Sequence, residues 1–77
     1  MDAVLVEARR SGCRSVWLTT TNDNLDALRF YQRRGFRLVA LRPGAVDVAR
    51  RELKPEIPEL GSYGIAMRDE LDLALTL

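Results

Sequence analysis

No histidine occurs anywhere in the 77 residues. A Ser–His–Asp triad, a Cys–His pair and any histidine-ligated metal site are therefore excluded outright. There is one cysteine, Cys13, which has no partner for an internal disulfide and fits a reducing, cytoplasmic compartment. Lying just after a helix stop, with no histidine to activate it, Cys13 reads as a packed thiol rather than a nucleophile. Neither sign of charge is in excess: twelve basic residues against eleven acidic ones leave +1. Nothing in that balance points to a nucleic-acid or membrane partner. The arginine pairs 9–10, 33–34 and 50–51 are scattered and have no aromatics between them, so they make no basic stripe. No apolar run approaches the roughly 20 residues of a membrane span, and the N-terminus lacks the basic-then-apolar layout of a signal peptide. Length is short as well. A chain of this size has room for one domain and buries only about 60% of its unfolded surface, so a lone core is marginal.

What is present is a globular composition, 47% hydrophobic and 30% charged. Residues 3–11 are rich in helix formers, with Arg9 and Arg10 in the last turn and Gly12 as a stop. That helix carries a broad apolar surface and opens almost at Met1, which implies a missing upstream segment. Residues 15–21 (SVWLTTT) are β-branched and aromatic and predict a strand. Asn22–Asp23–Asn24 breaks the chain and offers N-cap side chains. A helix follows over 25–34, closed by Gly35, then a strand over 36–42 ended by Pro43–Gly44. Residues 45–54 predict a short amphipathic helix stopped by Pro55. From Ile65, apolar residues fall on odd positions as far as Leu75, broken only by Asp69; this period of two predicts a strand. The order α-β-α-β-(α)-β is an α/β architecture.

The second helix holds the informative stripe. At about 100° per residue, Asn24 and Tyr31 project some 20° apart, with Ala27 and Leu28 beside them. Arg29 and Arg33 project to the opposite side, toward solvent. On residues alone, Asn24 is a helix N-cap, and Tyr31 is a core residue with a hydrogen-bonded hydroxyl. Arg34 flanks the stripe and reads as a solvated charge, with a coenzyme phosphate as the alternative.

The run Asn24-x2-Ala27-x3-Tyr31-x3-Gly35-Phe36 resembles the N-x-x-A-x-x-x-Y-x-x-x-G-F segment of GNAT N-acetyltransferases. The flanks agree: a helix ending at Gly12–Cys13, a strand with Trp17 and Leu18, and a strand opening with Phe36. The resemblance covers essentially the whole chain, from the family's third helix to its last strand. It implies a partial GNAT fold, the C-terminal half of a mixed sheet with helices, with the last strand between the two earlier ones. It also implies acetyl-CoA as co-substrate, an amine as acceptor, Asn24 near the pantetheine arm, and Tyr31 close to the sulfur as binding residue and catalytic acid. A phenol of pKa about 10 stays protonated at neutral pH and can protonate a departing thiolate.

The resemblance also implies what this sequence does not supply. The family's first four strands and its Q/R-x-x-G-x-G/A loop, whose amides hold the pyrophosphate at a helix N-terminus, would precede Met1. No general base is assignable; Glu56, Glu59, Asp69 and Glu70 fall in or after the late loop, where charges are usually solvated. The strand over 15–21 is left at an edge, and a bare edge is a template for pairing. A homo-oligomer or a companion N-terminal half is the expected partner. The alternative is a non-catalytic remnant that associates through the open edge.

Overall fold

The computed structural model describes residues 2–77. Its elements are α1 (Asp2–Arg10), β1 (Ser15–Thr21), α2 (Leu25–Arg33), β2 (Arg37–Arg42), α3 (Ala45–Glu52), a 3-10 turn (Ser62–Gly64) and β3 (Glu70–Thr76). The order is the expected one, and β1 has the expected bounds.

The sheet has three strands in the order β1-β3-β2, so the last strand lies between the earlier two. Both ladders are antiparallel. Leu73 of β3 stands opposite Leu18 on one side and Leu38 on the other, and is fully buried. Around it pack Leu5 of α1, Phe36, and, partly buried, Val16, Leu18, Leu28, Tyr31, Leu75 and Leu77. One face of the sheet thus meets the apolar stripes of two helices, each burying the other's apolar surface. Val39 is the extra residue of a bulge between Leu38 and Ala40. On the other face Asp72 joins all three strands. It accepts from Thr19 Oγ1 at 2.7 Å and takes a two-pronged ion pair from Arg42.

The alternation that begins at Ile65 overstates the last strand, whose paired part starts at Glu70. Register gives the reason: Glu70 faces both Thr21 and Arg42, the last residues of β1 and β2, so nothing remains to pair with earlier residues. Ile65–Asp69 is held by other means. Ala66 bridges to Leu60, and the Met67 N–H donates to the Glu59 carbonyl at 2.9 Å. Asp69, the one interruption of the apolar face, accepts from the Gly44 N–H at 2.8 Å at the start of α3. Arg50 of α3 donates to the carbonyls of Ile57, Pro58 and Met67, pinning the long loop that precedes β3.

The molecule measures 40 × 24 × 19 Å, with a radius of gyration of 14.3 Å, against about 11.5 Å for a compact domain of this length. Its accessible surface is 5488 Å², against about 4,700 Å² for a globular chain of this mass. Much of the excess is apolar: Val4, Val6, Trp17, Leu38, Leu41 and Leu53 are each half or more exposed.

Candidate functional site

The site is built on the turn from β1 into α2 and on the length of α2 itself. Three residues, Asn22 to Asn24, make the connection. Asn24 is the N-cap: its Oδ1 accepts from the Ala27 N–H at 3.2 Å, as its local setting predicts. That bond uses the oxygen only. The Asn24 amide nitrogen has no partner among the described residues.

At the other end, α2 closes in a Schellman motif. The Gly35 N–H donates to the Gln32 carbonyl at 3.0 Å, and the Phe36 N–H donates to the Tyr31 carbonyl at 3.0 Å. Gly35 has φ +95°, a left-handed conformation that a side chain would strain. The motif brings its third-last helical residue against the second residue past the cap, and these are Tyr31 and Phe36. Their rings meet edge to face at 5.3 Å, and Phe30 touches Tyr31 from the other side at 5.2 Å. The spacing Tyr-x3-Gly-Phe therefore has a plain mechanical reason.

The hydrogen-bonded hydroxyl expected of a core tyrosine is absent. The Tyr31 ring belongs to the core rim, yet its hydroxyl has no partner among the described residues. No buried side-chain oxygen or nitrogen is left unpaired among them, so this hydroxyl opens to solvent. Tyr31 lies two turns beyond Asn24, about 10 Å along the helix axis. The two donors do not touch; they are spaced along one face with Ala27 between.

Other expected residues fall outside this stripe. Arg34 lies over the Phe30 ring at 3.7 Å, a cation–π contact that occupies it. Asp69 is used at the start of α3, and Glu70 lies 3.7 Å from Arg42. Glu56 and Glu59 are exposed loop residues. Cys13 is exposed rather than packed. No cluster of metal-ligating side chains occurs among the described residues, and no helix among them is long and apolar enough to cross a membrane. A shallow apolar groove of about 440 Å³ runs along α1 past Val4, Ala8 and Cys13. A polar one of about 260 Å³ lies between Asp47, Glu59 and Arg68. Neither includes Asn24 or Tyr31.

Two neighbours of Asn24 were not expected to matter. Asp23 is 3% exposed. It accepts from Thr21 Oγ1 at 2.5 Å and from the Ser62 N–H at 2.8 Å. Burial pushes its pKa up, and these hydrogen bonds outweigh burial, so the net value falls below the ordinary carboxylate range. Asn22 donates to the Ala66 carbonyl at 2.8 Å and accepts from the Arg68 and Asp69 N–H groups at 2.9 and 3.0 Å. Tyr63, at φ +59°, donates its hydroxyl to Asp26 in the first turn of α2. That bond to the Asp26 carboxylate raises the Tyr63 pKa.

The sequence model of the Acetyltransferase (GNAT) family matches residues 1–36, the stretch that ends with the Asn24–Phe36 motif. In structure the chain is similar to a Bacillus subtilis acetyltransferase solved in complex with CoA, with a TM-score of 0.79 and 25% identity, over 97% of this chain and 45% of that one. It is similar to an IAA acetyltransferase from Bacillus cereus, with a TM-score of 0.81 and 25% identity, over 99% of this chain and 47% of that one. The chain has a partial GNAT fold. Among curated proteins, it is 51% identical over 71 residues to the uncharacterized protein YdhI of Bacillus subtilis, matching 92% of this chain and 44% of YdhI. It is 47% identical to YxbD of the same organism, matching all of this chain and 51% of YxbD. The chain thus spans about half the length of the curated relatives it matches. The strand order β1-β3-β2 is the one the resemblance implies, and the motif coincides with the N-cap and the Schellman closure of α2.

Proposed function

We propose that the chain is the C-terminal half of an acetyl-CoA-dependent N-acetyltransferase, active on an amine when completed by an N-terminal half. The observation that carries this reading is a pair of donors on α2 without a partner among the described residues, the Asn24 amide nitrogen and the Tyr31 hydroxyl, at the two polar positions of the GNAT motif. Both side chains are held by their other ends, Asn24 through its cap bond and Tyr31 through its ring contacts. Each therefore offers a fixed donor at little further entropic cost. The small Ala27 between them lets an extended arm approach the helix. A similar acetyltransferase, the B. subtilis enzyme, was solved in complex with CoA.

In this reading the acceptor amine attacks the thioester carbonyl and forms the C–N bond. The C–S bond breaks, and the departing sulfur takes the Tyr31 proton. The amine's own proton leaves to a base or water, which in this reading comes with the N-terminal half. The pyrophosphate site falls to the same half. Asn24 holds the pantetheine arm, and its role ends with binding. A cytoplasmic location fits the single free cysteine.

A second reading, a non-catalytic association module, is favoured by the bare outer edge of β1 and by Trp17, 62% exposed beside it. Titration of CoA into the complete protein, followed at the Asn24 side-chain amide and the Tyr31 ring by NMR, separates the two. Saturable shifts at both residues are expected of the enzyme. Their absence at millimolar CoA leaves the association module standing.

A further inference from the structure

The three-residue turn between β1 and α2 has more built into it than a turn needs. Residues in such connections usually turn their polar groups to water. Here Asp23 is buried, and a buried carboxylate is costly unless every oxygen is matched. Both are matched, one by Thr21 at the end of β1 and one by the backbone of Ser62. Asn22, one residue earlier, uses both the nitrogen and the oxygen of its amide on the backbone of residues 66, 68 and 69. A Cβ on Gly61 would overlap the Asp23 carboxylate, so the loop approaches as closely as glycine permits. Tyr63 reaches the first turn of α2 from the same loop. Residues 61–69 therefore grip the start of α2 on both sides of Asn24.

We propose that Asn22 and Asp23 are positioning residues for acyl-CoA binding: a clamp that fixes Asn24 and the first turn of α2 against the 61–69 loop. This rests on the proposed function, which makes Asn24 the pantetheine contact. The clamp acts at the N-terminal end of α2 only. Tyr31 is placed independently, by Phe36 and the Schellman closure two turns away. Loosening the clamp therefore weakens binding and spares the proton transfer.

The test uses the complete protein, with CoA binding measured by calorimetry and acetyl-CoA turnover by thiol release. Thr21→Val removes the hydroxyl that holds Asp23 and keeps a β-branched strand residue; Asp23→Ala removes the carboxylate itself. Both are expected to raise the CoA Kd and the acetyl-CoA KM about ten- to a hundredfold, the scale of a contact misplaced by an ångström, while kcat changes little. Asp23→Asn is expected to restore affinity. Its oxygen can accept from Ser62 while its NH2 donates to the Thr21 hydroxyl, which can turn to accept. Thr19→Val is the matched control: it deletes a similar Thr-to-Asp bond on the same strand, to Asp72 rather than to the turn, and leaves affinity unchanged. Wild-type affinity in Thr21→Val, or an equal loss in Thr19→Val, overturns the clamp while CoA binding by the wild type stands. A wild type that binds no CoA overturns the proposed function, and the clamp with it.

Discussion

Tyr31 and Phe36 are joined twice, by a backbone hydrogen bond from the Phe36 N–H to the Tyr31 carbonyl and by an edge-to-face ring contact at 5.3 Å. The first is the closing bond of the Schellman motif, and the second is the apolar contact that accompanies it. Together they hold the Tyr31 ring without using its hydroxyl. The part of the residue that could do chemistry is free because the rest of it is fully employed in structure.

Tyr31→Phe in the complete protein is therefore expected to cost rate and not stability. General acid catalysis contributes on the order of 10²–10⁴-fold, whereas a solvent-open hydroxyl with no protein partner contributes well under about 1 kcal/mol to folding. Steady-state kinetics with a urea titration checks both. An unchanged kcat with a lowered unfolding midpoint would return Tyr31 to a purely structural role.

Gly61→Ala is expected to destabilise the fold. Gly61 has an ordinary φ of −106°, so backbone strain is not the cause. The added Cβ overlaps the Asp23 carboxylate and forces the loop or the carboxylate to move. Such overpacking typically costs about 1–3 kcal/mol. Urea unfolding measures it, and the same substitution in an Asp23→Ala background should cost less.

Acid should unfold the protein partly through Asp72. Arg42, then Thr19, hold its carboxyl below the usual range in the folded state. A depressed folded pKa means the unfolded state binds the proton first. The contribution is complete above the unfolded carboxylate value of about 4 and is lost as pH falls through the lower folded value. Asp23 has the same sign. Asp72→Asn is expected to flatten the fall in unfolding midpoint below about pH 4. Because Arg42 is half exposed, molar salt should narrow the difference between the variants. A wild-type curve as flat as that of Asp72→Asn would remove the role assigned to the pair.

The outer edge of β1 should be paired in solution, by a second copy or by an N-terminal half. Ser15 to Thr21 presents no charge and no proline to discourage pairing, and β1 has β3 on one side only. Sedimentation of the chain at micromolar concentration is expected to show association, and Trp17→Lys to weaken it. A folded monomer whose 15–21 amides exchange rapidly would show that the edge is tolerated bare.

Local patterns made most of the fold legible. Composition placed β1 at its observed bounds, Gly12 and Gly35 marked both helix ends, and Asn24 could be read as a cap from its position alone. Two things were hidden, for one reason. The start of β3 depends on where β1 and β2 end, and period-two alternation carries no information about a neighbour's length. Asn22 and Asp23 read as turn formers because their partners lie some forty residues away, in a loop without periodicity. Gly61 was the available signal: a glycine outside a left-handed conformation often marks a close approach, but what approaches it appears only in three dimensions.

The central claim is that this chain supplies half of an acetyltransferase site, and thiol release from acetyl-CoA tests it most directly. The chain alone and the same chain joined to an N-terminal half bearing the glycine-containing loop are compared with one panel of amines. The amides of that loop would hold the pyrophosphate, and such preorganised donors carry a large share of binding and catalysis. The account predicts background release from the chain alone and amine-dependent turnover from the joined protein. Amine-dependent turnover by the isolated chain, or none by the joined protein with any amine, would contradict it.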